Sequence, residues 1–269
     1  MYFCHMKIIK KVLMTLLGEK KYLSLLAFSF QRFYKTGRLG KEYHDIYFLK
    51  NIIRPGDYCV DIGAHLGYYT LELSSLVGPE GKVFAIEPMS KFHDTLRKIL
   101  QKKGVKNVTL YQLAMGGGSE WVEMGIPRID NMKRYAYARV MESSSHLEYA
   151  ESEKVRNESG DVLFLQQPRL DFIKCDVEGL EVSVFSSLLG TLKMHRPILL
   201  CELADKNERI KLYELIVELG YQAYLLEKGK LRILDIYSDK KAISHNHYFI
   251  HQTRAEDEDL QPLLSDVRS

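Results

Sequence analysis

The stretch Val60-Asp61-Ile62-Gly63-Ala64-His65-Leu66-Gly67-Tyr68-Tyr69-Thr70 constrains the fold more than any other part of the chain. It continues the apolar run Tyr58-Cys59 and leads into a helical pattern, so a buried strand empties into a glycine-bearing turn and then a helix. That arrangement brings backbone amides close to a small ligand. The spacing is D-x-G-x-x-x-G. It is neither the G-x-G-x-x-G of dinucleotide folds nor the G-x-x-x-x-G-K-[ST] of phosphate loops, and no lysine follows the second glycine. Nucleoside triphosphate hydrolysis is therefore disfavoured.

A second acid narrows the ligand. Lys82-Val83-Phe84-Ala85-Ile86 is another strand pattern, and it ends in Glu87-Pro88, about twenty residues beyond Gly67. Pro88 cannot extend a ladder, which leaves Glu87 at the rim, where a carboxylate accepts hydrogen bonds from both hydroxyls of an adenosine ribose. An acid at the first strand tip suits a cationic amino-acid head without a pyrophosphate. S-adenosylmethionine has both features, and Asp61, Gly63, His65, Gly67, Tyr68, Thr70 and Glu87 are its candidate contacts.

Strand and helix patterns alternate beyond residue 41, predicting a mostly parallel α/β sheet covered on both faces. Strands are expected at about 58–62, 82–87, 108–114, 170–176, 197–202, 221–226 and 247–251. Ser90 is expected to cap a helix that Gly104 stops, and a helix from Glu178 to Leu189 is expected to end at Gly190. Asp205 has capping spacing to Glu208. The runs Tyr221–Leu226 and Leu231–Ile236 predict a hairpin. Residues 1–41 form a helical extension, 42–252 the main domain, and 253–269 a loose charged tail. Between about 116 and 168 the rhythm fails. That insertion carries Trp121 and a basic-aromatic run from Arg128 to Arg139, and it reads either as a lid-like cap or as a disordered surface segment.

The fourth strand, Leu170-Asp171-Phe172-Ile173-Lys174-Cys175-Asp176-Val177-Glu178-Gly179, gathers charge at its C-terminal end. Such a cluster is costly unless its members face a cleft or one another. Period-two alternation puts Lys174 and Asp176 on one side, so they are expected to pair. Ligands of open α/β sheets bind outside the carboxyl ends of the strands, which sets Asp176 and Glu178 beside Asp61 and Glu87. Methylation of a hydroxyl needs a group that takes its proton. Asp176 and Glu178 rank first for that role with Lys174 as partner; His65 and Glu202 are the other rim candidates.

These residues resemble the FkbM-type methyltransferases. The resemblance rests on Val60–Thr70, Glu87-Pro88, Phe172–Gly179, the Pro197–Glu202 strand and Asn246-His247-Tyr248-Phe249, and runs from about Ile52 to Ile250. It implies a Rossmann-like class I methyltransferase with a seven-stranded sheet whose last strand is antiparallel. It also implies cofactor contacts at Asp61, Gly63, Gly67 and Glu87, and places Ala114 near the adenine. Family members typically methylate hydroxyls of sugars or polyketide-like products, so a glycan or small-molecule acceptor is expected. His65 stands where many relatives carry Asn. A nicotinamide oxidoreductase is the competing class, weakened by the missing G-x-G-x-x-G, and a silent adenosylmethionine-binding protein is a third.

Composition bounds the partners. The chain has 269 residues, 46% hydrophobic and 27% charged, with a formal net charge of +3, too small to imply nucleic acid. Cys59, Cys175 and Cys201 lie in apolar strand patterns, and with Cys4 they form no C-x-x-C pair, so no metal site is indicated and a reducing cytoplasm is expected. The apolar runs Val12–Leu17 and Tyr22–Phe30 are split by Gly18-Glu19-Lys20-Lys21, and neither reaches the ~20 residues a membrane span needs. No signal-peptide cleavage site follows them. Lys7, Lys10, Lys11, Lys20, Lys21, Arg32, Lys35, Arg38 and Lys41 face the single acid Glu19. Two helices packed on the main domain are the favoured reading, and a basic pair resting on an anionic membrane is the other. The sequence sets no oligomeric state.

Overall fold

A computed structural model describes residues 12–40, 43–141, 146–203, 205–235 and 246–265. Cys4, Lys7, Lys10, Lys11, Lys41 and Ile236, used above, lie outside the described residues.

The β-branched and aromatic runs form strands β1 (Tyr58–Ile62), β2 (Lys82–Ile86) and β3 (Val108–Tyr111). The insertion supplies β4 (Trp121–Ile129) and β5 (Tyr149–Glu158). Then come β6 (Phe172–Cys175), β7 (Ile198–Glu202), β8 (Tyr221–Glu227), β9 (Lys230–Ile233), β10 (Asn246–His251) and β11 (Leu264–Ser265). The main sheet runs β11-β9-β8-β10-β7-β6-β1-β2-β3. From β3 to β7 neighbours are parallel, and β10 is antiparallel to both β7 and β8.

The seven expected strands and the expected hairpin partner are there, and among the described residues the sheet has nine strands. β9 closes the hairpin on β8, and β11 adds parallel to β9. The tail is thus not loose as far as Ser265. Its acidic residues Glu256 to Asp259 are followed by Leu260, Leu263 and Leu264, which pack on the same apolar cluster as Leu231.

Strand alternation divides the core between the two faces of the sheet. Val60, Ile62, Ile173 and Leu199 point to one cluster, with Phe84, Phe164 and Phe185. Cys59, Phe172, Ile198 and Leu200 point to the other, with Phe48, Leu73 and Tyr248. Helices α1 (Glu19–Lys35), α2 (His44–Ile52), α3 (Tyr68–Val77), α4 (Ser90–Lys103), α5 (Glu181–Ser186), α6 (Leu189–His195) and α7 (Lys206–Val217) accompany the strands. α1 buries Tyr22, Leu23, Ala27 and Phe30.

Capping departs from expectation at two places. Ser90 does not cap α4; its N–H and hydroxyl both donate to Glu153 of β5 at 3.0 Å. The helix expected over 178–189 is two helices, and Gly190 lies inside the second. There Asp161 accepts from the Gly190 and Thr191 amides, supplying the N-terminal partner that a long continuous helix would not need. Asp205 caps α7 as expected, accepting from the amides of Asn207 and Glu208.

The described residues of the insertion are largely β-structure. β4 and β5 pair antiparallel, with a register irregularity at Ile126/Pro127, and bury Met124, Ile126 and Val155 against α1 and α4 residues.

Candidate active site

The C-terminal ends of β1, β2, β6 and β7 open into one crevice of about 350 Å³. Asp61, Glu87, Lys174, Asp176, Glu178 and Glu202 all line it, as do Gly63, His65, Tyr68 and Ala114. The parallel register of β1 and β6 sets Asp61 beside Lys174.

Asp61 is fully buried. Its Oδ2 accepts from Thr70 Oγ1 at 2.5 Å, while Oδ1 accepts no hydrogen bond and lies 3.8 Å from Lys174 Nζ. Burial raises its pKa against the pull of Lys174 and Thr70. Lys174 Nζ donates to Asp176 Oδ2 at 3.1 Å and to the Gly63 carbonyl at 3.5 Å. Burial opposes its charge, but the Asp176 and Asp61 carboxylates outweigh that cost and its pKa is raised. Lys174 is therefore a fixed cation at neutral pH, not a proton donor.

Two further carboxyls are tuned toward neutrality. Burial, then the charge of Asp176, pushes Glu202 up to about 7, and hydrogen bonding with Asp176 adds to the rise. Glu178 is also raised to about 7, by burial and then Asp176, against the Arg139 guanidinium 3.1 Å away. Glu178 is left-handed, with φ 57. The turn that carries it is held by Glu181, whose carboxylate accepts from the amides of Val177 and Gly179.

At the β2 end, Glu87 accepts from the amides of His65 at 2.7 Å and Met89 at 2.9 Å, and burial raises its pKa to about 7. The His65 ring lies 4.3 Å from that of Phe92, centroid to centroid, and its Nε2 has no hydrogen-bond partner. Burial lowers its pKa to about 4, so it is neutral at pH 7.

The two glycines permit close approach of the chain. A Cβ on Gly63 would stand 1.9 Å from the Asp176 carbonyl oxygen, and one on Gly67 would stand 2.3 Å from Leu96 Cδ1. They let the turn approach β6 and α4. Gly67 and Thr70 stand outside the crevice lining, Thr70 acting behind it through Asp61.

The insertion supplies one wall of the crevice. Met124, Tyr135, Tyr137 and Val140 of the insertion line the crevice, and Tyr69 lines it beside Tyr68. The basic-aromatic run spends its charge within the chain. Lys133 pairs with Glu151, Arg128 with Glu148, Arg134 with Asp130 and Arg139 with Glu178. Glu19 anchors α1 to the same region, accepting from Tyr135 at 2.6 Å and Lys91 at 3.1 Å.

A doubly wound sheet with acids at its strand tips and a hydrogen-bond-free buried carboxylate oxygen defines a class I methyltransferase architecture. Residues 61–231 match the Methyltransferase FkbM domain, and the chain belongs to that family, with S-adenosylmethionine as its cofactor. The solved structure of an FkbM methyltransferase from Methylobacillus flagellatus KT aligns over 88% of this chain and 52% of its own, with TM-score 0.53 and 16% identity, a likeness of fold. Protein-L-isoaspartate O-methyltransferase of Aeropyrum pernix is 32% identical over 74 residues, 28% of each chain. That of Ignicoccus hospitalis is 35% identical over 68 residues, 25% of this chain and 31% of its own. The chain thus spans under a third of the length of these curated relatives.

The crevice fits the cofactor. Its volume lies within the ~300–1,000 Å³ of small-molecule sites. Asp61 Oδ1, buried and without a donor, matches an ammonium group. Glu87 uses two of the roughly four acceptor positions of a carboxylate on backbone amides, leaving two for ribose hydroxyls.

Proposed function

We propose that this domain transfers a methyl group to a hydroxyl of a glycan or a small-molecule product, with Asp176 as the base. When bound, S-adenosylmethionine supplies a sulfonium methyl group for direct displacement. Asp61, His65, Tyr68, Glu87 and Ala114 hold it, and Gly63, Gly67 and Thr70 shape the turn that carries Asp61 and His65. Asp176 accepts the proton of the acceptor hydroxyl. Lys174 donates a hydrogen bond to Asp176 and fixes its rotamer, and the Glu202 carboxyl stands on the same rim.

The observation that carries this reading is the Lys174–Asp176 pair in the crevice, 3.1 Å apart, with Glu178 and Glu202 on the same rim. The more exposed lining supports a hydroxylated acceptor. Tyr137 is 46% exposed, and with Glu178 and Asn246 it offers a ring face and hydrogen-bonding groups, which suit sugars. The test is transfer of isotopically labelled methyl to glycan and lipid extracts. Asp176→Asn is expected to lower turnover by roughly 10²–10⁴-fold while retaining cofactor affinity. Near-normal turnover in that variant would move the base elsewhere.

A further inference from the structure

Burial of Tyr22, Leu23, Ala27 and Phe30 fixes which way α1 faces. At about 100° per residue, its opposite side carries Lys21, Leu25, Phe28, Arg32 and Lys35, and all five are exposed. This is not an ordinary solvated face. Leu25 is 40% and Phe28 38% exposed, and Leu16, in the helical turn before α1, is 77% exposed. Leu17, Lys20, Leu25 and Phe28 share a shallow groove with Lys98 of α4. Lys102 lies over the Phe28 ring at 4.8 Å.

The charge here is one-sided. Among the described residues, Lys20, Lys21, Lys98 and Lys102 form no ion pair with a carboxylate. Lys103 has its pKa lowered, by burial and then by the nearby charge of Lys35, the sign of cations crowded without a counterion. Large apolar side chains set among unpaired lysines match the boundary between lipid headgroups and acyl chains.

We infer that the outer face of α1, with the turn before it and the lysines of α4, rests on a membrane surface bearing anionic lipids. Leu16, Leu25 and Phe28 enter the headgroup boundary, and the lysines meet lipid phosphates and carboxylates. A polynucleotide would satisfy the lysines but offers no apolar boundary for the leucines. Among the described residues no helix is long and apolar enough to cross a membrane; α1 meets the bilayer lying along it. None of these residues lines the crevice.

The test is flotation of the full chain with phosphatidylcholine vesicles, with and without phosphatidylserine. Binding is expected only with the anionic lipid, weakening as salt rises. Each basic residue near an anionic surface contributes about fivefold in affinity, so Lys20→Glu with Lys21→Glu should weaken binding by about 25-fold or more. Leu25→Ser with Phe28→Ser should abolish the binding that survives at high salt. Lys193→Glu with Lys228→Glu, an equal change of charge elsewhere, should leave it nearly intact. Equal binding to neutral vesicles, or binding that both α1 double variants leave untouched, would overturn the inference. So would binding to duplex DNA or RNA without vesicle binding.

Discussion

At the scale of single residues, acids outnumber cations in the crevice, and the surplus charge is managed by protonation. Glu87 shows the consequence most cleanly because it is 4% exposed and raised to about 7 from an ordinary value near 4.5. A carboxyl held above its unfolded value contributes stability that is full below pH 4.5 and lost as pH rises through about 7. The upper bound is roughly 3 kcal/mol. Melting temperature measured across that window should fall less steeply in Glu87→Gln than in the parent; parallel slopes would contradict the assignment. His65 runs the other way, its buried neutral ring losing stability as pH falls from about 6.5 toward 4, so the variant comparison rather than the raw curve carries the test. The acids were legible in the sequence because charge at the end of an apolar strand is expensive without a purpose. Arg139 was not. It reaches Glu178 from the insertion, 39 residues away, so spacing alone carries no trace of it, whereas Glu181 stands two residues beyond Gly179 and bonds the turn locally.

At the scale of elements, the strand–turn–helix unit is set by close approach. Gly63 has φ 79, and a methyl group there would collide with the Asp176 backbone. Gly63→Ala should cost about 2–4 kcal/mol, combining left-handed strain with the displacement of β6. Chemical denaturation would read this, and a loss below ~1 kcal/mol would show that the turn yields easily. The insertion is the counterpart, an element the sequence hid. β4 contains Gly125 and Pro127, both strand breakers, and β5 reads Tyr-Ala-Glu-Ser-Glu-Lys-Val-Arg-Asn-Glu with little apolar alternation. Its strands form because they bury Met124, Ile126 and Val155 on α1 and α4, and because Glu19 bonds Tyr135. Glu19→Gln should raise amide hydrogen exchange at Tyr135–Ala138 several-fold while β1 and β6 stay protected. Unchanged exchange there would mean that apolar packing alone holds the roof.

At the scale of the molecule, the core sheet was readable because its central strands are mostly apolar and the hairpin follows a turn signal, while edge strand β11 rests on Leu260, Leu263 and Leu264 behind an acidic run. The nine-stranded sheet brings the ends of β1, β2, β6 and β7 to one crevice, and the insertion, braced by α1, closes over it. We propose that this crevice binds S-adenosylmethionine through the hydrogen-bond-free oxygen of Asp61. Calorimetric titration of S-adenosylmethionine into the full chain and into Asp61→Asn tests it most directly. Saturable one-to-one binding to the parent is expected, with none of NADH, and affinity lower by roughly ten- to a hundredfold in the variant, the loss of one charge-assisted hydrogen bond. Equal affinity of the two proteins for S-adenosylmethionine, or preferential binding of NADH, would contradict it.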